Sequence, residues 1–271
     1  MRKKVVLLVR AYNDLDCRLP LLFEYANNNN YDLVVMGIPT NIGYNNIKKH
    51  ELIKDAESVG ILINSIYDFN SKKLIIYFLL KIHEKIIYKT PFYFLNAILI
   101  KGRKLLFKMI HLITITDKNM LIQIKDFFRS SIIISDEIVF QKNRSFVVDE
   151  LLKHKENFSI YSFTTGQNTY LNLWHDKERI SLFKSQEKTK IPLFVPSEND
   201  KRINQENFPN ENIINVGNTR FDAQWVKKLS HLASKNIEND KILKKSYLYK
   251  ITFMLSKIEY GVDLDNIIEL I

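Results

Sequence analysis

Short apolar runs alternate with amphipathic stretches along most of the chain, the pattern of strands and helices that build a parallel sheet. Residues 5–9 (Val-Val-Leu-Leu-Val) form the first apolar run and read as a buried strand. Asp16 and Pro20 then mark a helix start, since proline suits a first turn where its missing N–H costs nothing. Leu21, Leu22, Phe23 and Ala26 supply that helix's inward side, and the polar run 27–30 ends it. A second strand is expected at 33–36. A helix through Ile47, Leu52 and Ile53 leads to a third at 61–63, and one carrying Leu121, Ile124 and Phe128 leads to a fourth at 132–134. Ser145 is placed to cap a helix with Phe146, Val148, Leu151 and Leu152 inward. Three more strands are expected at 159–163, 193–195 and 213–216, with no internal repeat. The fold class is therefore α/β, a Rossmann-like parallel sheet flanked by helices.

Two stretches interrupt this rhythm. Between the third and fourth strands, residues 72–108 carry Lys72, Lys73, Lys81, Lys85, Lys89, Lys101, Arg103, Lys104 and Lys108 against a single acid, Glu84. Apolar residues interleave with them, which predicts two basic amphipathic helices broken at Thr90-Pro91. Such a pair suits an anionic membrane surface, with Lys101, Arg103, Lys104 and Lys108 as the contacting cations; packing against the core is the competing reading. Residues 230–246 turn polar and read as a linker or bridging helix. A strand at 251–255 and a helix with Leu264, Ile267, Ile268 and Ile271 follow. The expected organisation is a first domain over 1–229, holding the insertion 72–108, a linker over 230–246, and at 247–271 only the start of an incomplete second domain.

Composition narrows the classes. Seven Gly and six Pro in 271 residues imply long elements and few turns, against an all-β sandwich or barrel. A formal charge of +10 points to an anionic partner: nucleic acid, an acidic membrane, or a phosphorylated substrate. Richness in Ile, Asn and Lys, as an AT-rich genome gives, accounts for part of that charge. Cys17 is the only cysteine, so no disulfide within the chain and no cysteine-ligated metal site is expected, which fits a reducing cytoplasm. The basic start Met1-Arg2-Lys3-Lys4 precedes an apolar run that stops at Arg10, too short for a signal peptide. No apolar run reaches the roughly 18 residues that span a bilayer. There is no Walker loop, Gly-x-Gly-x-x-Gly, His-Glu-x-x-His or Gly-x-Ser-x-Gly motif. The six histidines lack metal-ligand spacing, and neither a metal nor another cofactor is expected.

The chemistry that can be placed lies after strands. Gly166 and Gly217 follow strands, where glycine admits a plain tight turn or a close approach of backbone to a ligand. Ligands of open α/β sheets bind outside the carboxyl ends of the strands. Loops at Arg10 to Asp16, at Asp136, at Gly166 to Asn168 and at Gly217 to Arg220 would meet there. Asp136 and Glu137 close the fourth strand, where a carboxylate can take a proton from a sugar hydroxyl or simply cap a helix.

The stretch Val216-Gly217-Asn218-Thr219-Arg220-Phe221-Asp222, preceded by residues 195–202 (Val-Pro-Ser-Glu-Asn-Asp-Lys-Arg), resembles the end of the first domain in GT-B-type transferases and sugar-nucleotide epimerases. The resemblance is closest to surface-carbohydrate biosynthesis proteins akin to CDP-glycerol glycerophosphotransferases. Residues 10–20, with Asn13, Asp16 and Pro20, resemble the loop after strand one in that group. Thr164-Thr165-Gly166-Gln167-Asn168 stands where the family often has His-Gly, and residues 253–263 resemble the opening of its second domain. Thr219 replaces the usual proline, which loosens the turn, and Thr165 replaces a histidine, which removes a candidate acid, base or phosphate ligand.

The resemblance implies transfer of a sugar or polyol-phosphate from a nucleotide-activated donor to a glycan or lipid-linked acceptor in capsule, lipopolysaccharide or teichoic-acid-like polymer synthesis. It makes Asp136, Glu137 and Asp16 the candidate catalytic residues. Arg10, Asn13, Gly166, Gln167, Asn168, Gly217, Asn218 and Arg220 become candidate substrate-binding residues. The first domain would hold the acceptor and the second most of the donor, so the chain alone is expected to be inactive. A cytoplasmic protein peripheral on the inner leaflet fits this picture. A sugar-nucleotide epimerase of the same fold, a non-catalytic membrane adaptor and a nucleic-acid binder remain alternatives. Against the last, the aromatic residues of 74–107 cluster with aliphatic ones, and no nucleic-acid partner is expected.

Overall fold

Every side chain from Val5 to Val9 is apolar, and all five are buried on both faces of the strand Lys3–Val9 (β1). That is the pattern of a strand at the centre of a parallel sheet. In this computed structural model the described residues are 2–9, 12–26, 30–38, 51–88, 96–135, 145–163 and 191–239. Their strands after β1 are Tyr31–Gly37 (β2), Leu62–Ser65 (β3), Ile132–Ser135 (β4), Ser159–Phe163 (β5), Leu193–Val195 (β6) and Ile213–Asn215 (β7). They form one seven-stranded sheet in the order β3-β2-β1-β4-β5-β6-β7, parallel at every pairing. The α/β, Rossmann-like architecture expected from the alternation is what the chain forms.

Alternation along β1 divides the core. Val6 and Leu8 join Val34, Met36, Ile133 and Ile160 in one apolar cluster, in register across Val6↔Val34 and Val6↔Ile133. Helices cover that cluster: Lys73–Tyr88 (α3) with Ile76, Leu79 and Leu80, Asn96–Ile115 (α4) with Ile110, Lys118–Phe128 (α5) with Met120, Ile124 and Phe128, and Phe146–Leu152 (α6) with Val147, Val148 and Leu151. Outside that cluster lie Leu15, Leu19 and Leu22 of Tyr12–Ala26 (α1) and Ile53 and Ala56 of Glu51–Ser58 (α2), all buried. Ser145 caps α6 by accepting from the Val148 amide, as its position before the apolar run predicts.

Two boundaries differ from expectation. Helix α1 begins at Tyr12 rather than beside Asp16, and Pro20 lies in its interior. Only residues 10 and 11 separate β1 from α1, so the first turns already bury Leu15 and Leu19. That burial outweighs the one helical hydrogen bond a proline removes. Helix α4 runs past Lys108 to Ile115, because no breaker intervenes before Asp117 starts the next helix. Residues 230–239, read as a linker or bridging helix, belong to the helix Ala223–Asn239 (α8). The chain divides into two compact units, Met1–Lys227 and Lys228–Ile271. Of the second, residues 228–239 are described and continue α8. Thr90-Pro91 and the strand and helix expected over 251–271 lie outside the described residues.

Candidate functional site at the carboxyl edge of the sheet

The strand order reverses at β1. The chain moves from β1 through β2 to β3 on one side, then returns to place β4 on the other. In open α/β sheets the crevice at such a reversal, beyond the carboxyl ends, is where ligands bind. Here β1 leads directly into α1, β4 ends at Ser135, and β5 ends at Phe163. Ser135 and Ser162 stand opposite each other in the β4–β5 register, and both are buried.

Arg18 of α1 reaches the end of β5 and is fully buried. Its Nε and Nη2 both donate to the carbonyl of Phe163, at 3.2 and 2.7 Å. A guanidinium from α1 is thereby fixed to the last residue of β5, 145 positions away in the chain. Sequence reasoning passed over Arg18, yet a signal was present. It lies three residues after Leu15 and four before Leu22, on the apolar side of the helix, where a charge has to find a partner.

The segments 195–202 and 216–222 come together. After β6, Ser197 caps the helix Glu198–Asn207 (α7), accepting from the amide of Asp200, which is itself buried. At the end of β7, the Asn215 side-chain Nδ2 donates to Glu198 Oε1 at 2.9 Å, and Asn215 Oδ1 accepts from the Gly217 N–H at 3.1 Å. Gly217 has φ +78°, the left-handed region that glycine enters freely. No described atom lies within 4 Å of where a Cβ would stand there. A turn requirement therefore accounts for this glycine, rather than close approach to a neighbouring turn.

Thr219 opens the short 3-10 turn Thr219–Phe221, and its hydroxyl donates to the carbonyl of Cys17 in α1. The threonine thus ties this turn to α1. Phe23 and Trp225 pack ring against ring close by, with centroids 5.7 Å apart. The Gly217–Arg220 segment is thus brought against the helix that carries Asn13 and Asp16.

Of the expected site residues, Gly217 is exposed and Asn218 half-buried, its carbonyl accepting from the Phe221 amide. Asn13 and Asp16 lie within α1 rather than in a loop, and Arg220 lies in the 3-10 turn; their side chains are outside the described set. Arg10, Asp136, Glu137, Gly166, Gln167 and Asn168 fall outside the described residues altogether. Among the expected membrane-surface cations, Lys108 is exposed on α4, while Lys101, Arg103 and Lys104 are placed on that helix by backbone alone. Among the described residues no three His, Cys, Asp or Glu side chains gather as metal ligands.

A pocket of about 320 Å³ is lined by Ser71, Lys72, Ile113, Thr116, Asp117, Lys118 and Asn119. Its carboxylate is already engaged. Asp117 accepts from the Ser71 hydroxyl and amide, at 2.7 and 2.8 Å, and caps α5 through the Met120 amide. The geometry there is that of a helix cap braced by a turn. Comparison with protein-family models, with curated proteins and with solved structures gave no match.

Proposed function

We propose that this chain carries the acceptor side of a GT-B-like transferase, one that moves a sugar or polyol-phosphate from a nucleotide-activated donor onto a surface-polysaccharide acceptor. The observation that carries the reading is the meeting of α1, the helix that follows β1, with the Gly217–Arg220 turn that follows β7. Both segments belong to the resemblance read from the sequence, and an acceptor needs a crevice at the carboxyl edge. In the proposed reaction an acceptor hydroxyl attacks the activated carbon or phosphorus of the donor, and the bond to the nucleotide leaving group breaks. Asp136, which directly follows the last residue of β4 in the chain, takes the hydroxyl proton as general base. Arg18 acts at one remove, by fixing the end of β5 ahead of the segment that contains Gly166, Gln167 and Asn168.

The test is calorimetric titration of the purified protein with isolated surface-glycan acceptor, which should bind. In transfer from CDP- or UDP-linked donors reconstituted with a donor-binding domain, Asp136→Asn should lower the rate by about 10²–10⁴-fold, the usual loss for a general base, while leaving acceptor binding and the thermal unfolding midpoint in place. Turnover by the Asn variant at the unsubstituted rate would remove Asp136 from the chemistry. Absence of acceptor binding would overturn the assignment as a whole.

A further inference from the structure

Helices α3 and α4 are apolar on two opposite sides, and the fold uses only one of them. Inward, Ile76, Leu79 and Leu80 of α3 and Ile110 of α4 enter the same core cluster on one face of the sheet. Outward, α3 presents Leu74 and Phe78, 79% and 63% exposed, and α4 presents Leu105 and Leu112, 61% and 59% exposed, with Met109 between them. The spacings 74/78 and 105/109/112 each trace one stripe along a helix. A helix covering a sheet ordinarily turns a charged side to water; here the outward side carries large apolar side chains among its lysines.

Charge says what covers these stripes. Residues 72–108 hold nine Lys or Arg and one acid, Glu84, and Lys72, Lys73, Lys81 and Lys108 are all exposed. A second copy of the chain docking through a twofold contact would set this cationic surface against itself, which like-charge repulsion opposes. A nucleic acid would ask for aromatic platforms between the cations, whereas these stripes are aliphatic except for Phe78. Aliphatic side chains rimmed by lysines match a bilayer interface, with hydrocarbon at the acyl boundary and ammonium groups at anionic headgroups. Among the described residues no helix is long and apolar enough to cross a membrane, so the contact is with the surface.

We propose that α3 and α4 dock this protein on an anionic lipid bilayer, Leu74, Phe78, Leu105 and Leu112 entering the interface and Lys73, Lys81 and Lys108 meeting the headgroups. The inference rests on these two helices and stands independently of the transfer reaction.

Flotation of the full chain with vesicles of phosphatidylglycerol and phosphatidylcholine, against phosphatidylcholine alone, tests it. The protein should float with the anionic vesicles only, and less so as salt rises. Lys73→Glu, Lys81→Glu and Lys108→Glu together should lower the partition coefficient by at least about 100-fold, and Leu74→Asn with Phe78→Asn by at least about 10-fold. All five positions are exposed, so circular dichroism should match the parent chain, and either variant alone decides the outcome if the other misfolds. Failure of the parent chain to float, or full binding by a folded variant, overturns the proposal. So does a concentration-dependent dimer that Leu74→Asn with Phe78→Asn dissociates while no vesicle binding is seen, because a second copy would then cover the face.

Discussion

Arg18 is the largest side chain that the described residues bury completely, and it is a charged one. Burying a guanidinium is tolerated only where its donors are satisfied. Two of its N–H groups meet the Phe163 carbonyl, which ties the first helix to the end of the fifth strand. Arg18→Met keeps much of the volume and removes both donors, leaving a strand-end carbonyl without that partner. The variant should lose about 2–3 kcal/mol of stability, read as a lower urea midpoint with an unchanged slope. A loss under about 0.5 kcal/mol would mean that Arg18 is incidental to the fold.

At the scale of elements, the start of α5 shows how one residue joins two segments. Asp117 caps α5 and at the same time holds Ser71, the residue after the turn that leads into α3. The Ser71 hydroxyl first, then its amide, hold the Asp117 carboxyl below its ordinary value of 3.8. Because the folded-state value is the lower one, the contribution is fully present above the unfolded value and is lost as pH falls through the folded one. Asp117→Ala should therefore cost about 1–2 kcal/mol at neutral pH and flatten the acid limb of the stability curve below about pH 4. An acid limb identical to that of the parent chain would show that other carboxylates set it. That a helix runs here was legible from Ile124 and Phe128. The partnership with Ser71, 46 residues earlier, was not.

For the whole molecule, the strand order makes a graded prediction. β1 has neighbours on both sides and helices over both faces, whereas β7 closes one edge. Leu7 is wholly buried and Ile214 is exposed. Leu7→Ala should cost about 2–5 kcal/mol by opening a cavity, while Ile214→Ala should stay within about 1 kcal/mol. Amide exchange should rank the same way, slowest in β1, β2 and β4 and faster in β3 and β7. Comparable losses at Leu7 and Ile214 would contradict the central placement of β1.

The sequence by itself determined the class of fold and the strands that build it. Runs such as residues 5–9 and 132–134 carry their own signal, because a strand buried on both faces must be apolar at every position, whatever lies beside it. The cap at Ser145 was legible for the same reason: it bonds to an amide three residues away. Tertiary structure alone decided the order of the strands. It also decided the attachment of Thr219 to Cys17, the burial of Arg18 under the end of β5, and the start of α1 four residues ahead of Asp16. Each depends on partners brought together across long stretches of chain, 202 residues for Thr219 and Cys17. No local pattern encodes such a distance. The double use of α3 and α4 belongs to both levels. The sequence placed apolar residues all round these helices, and only the sheet's position decided which of them meet the core and which face outward.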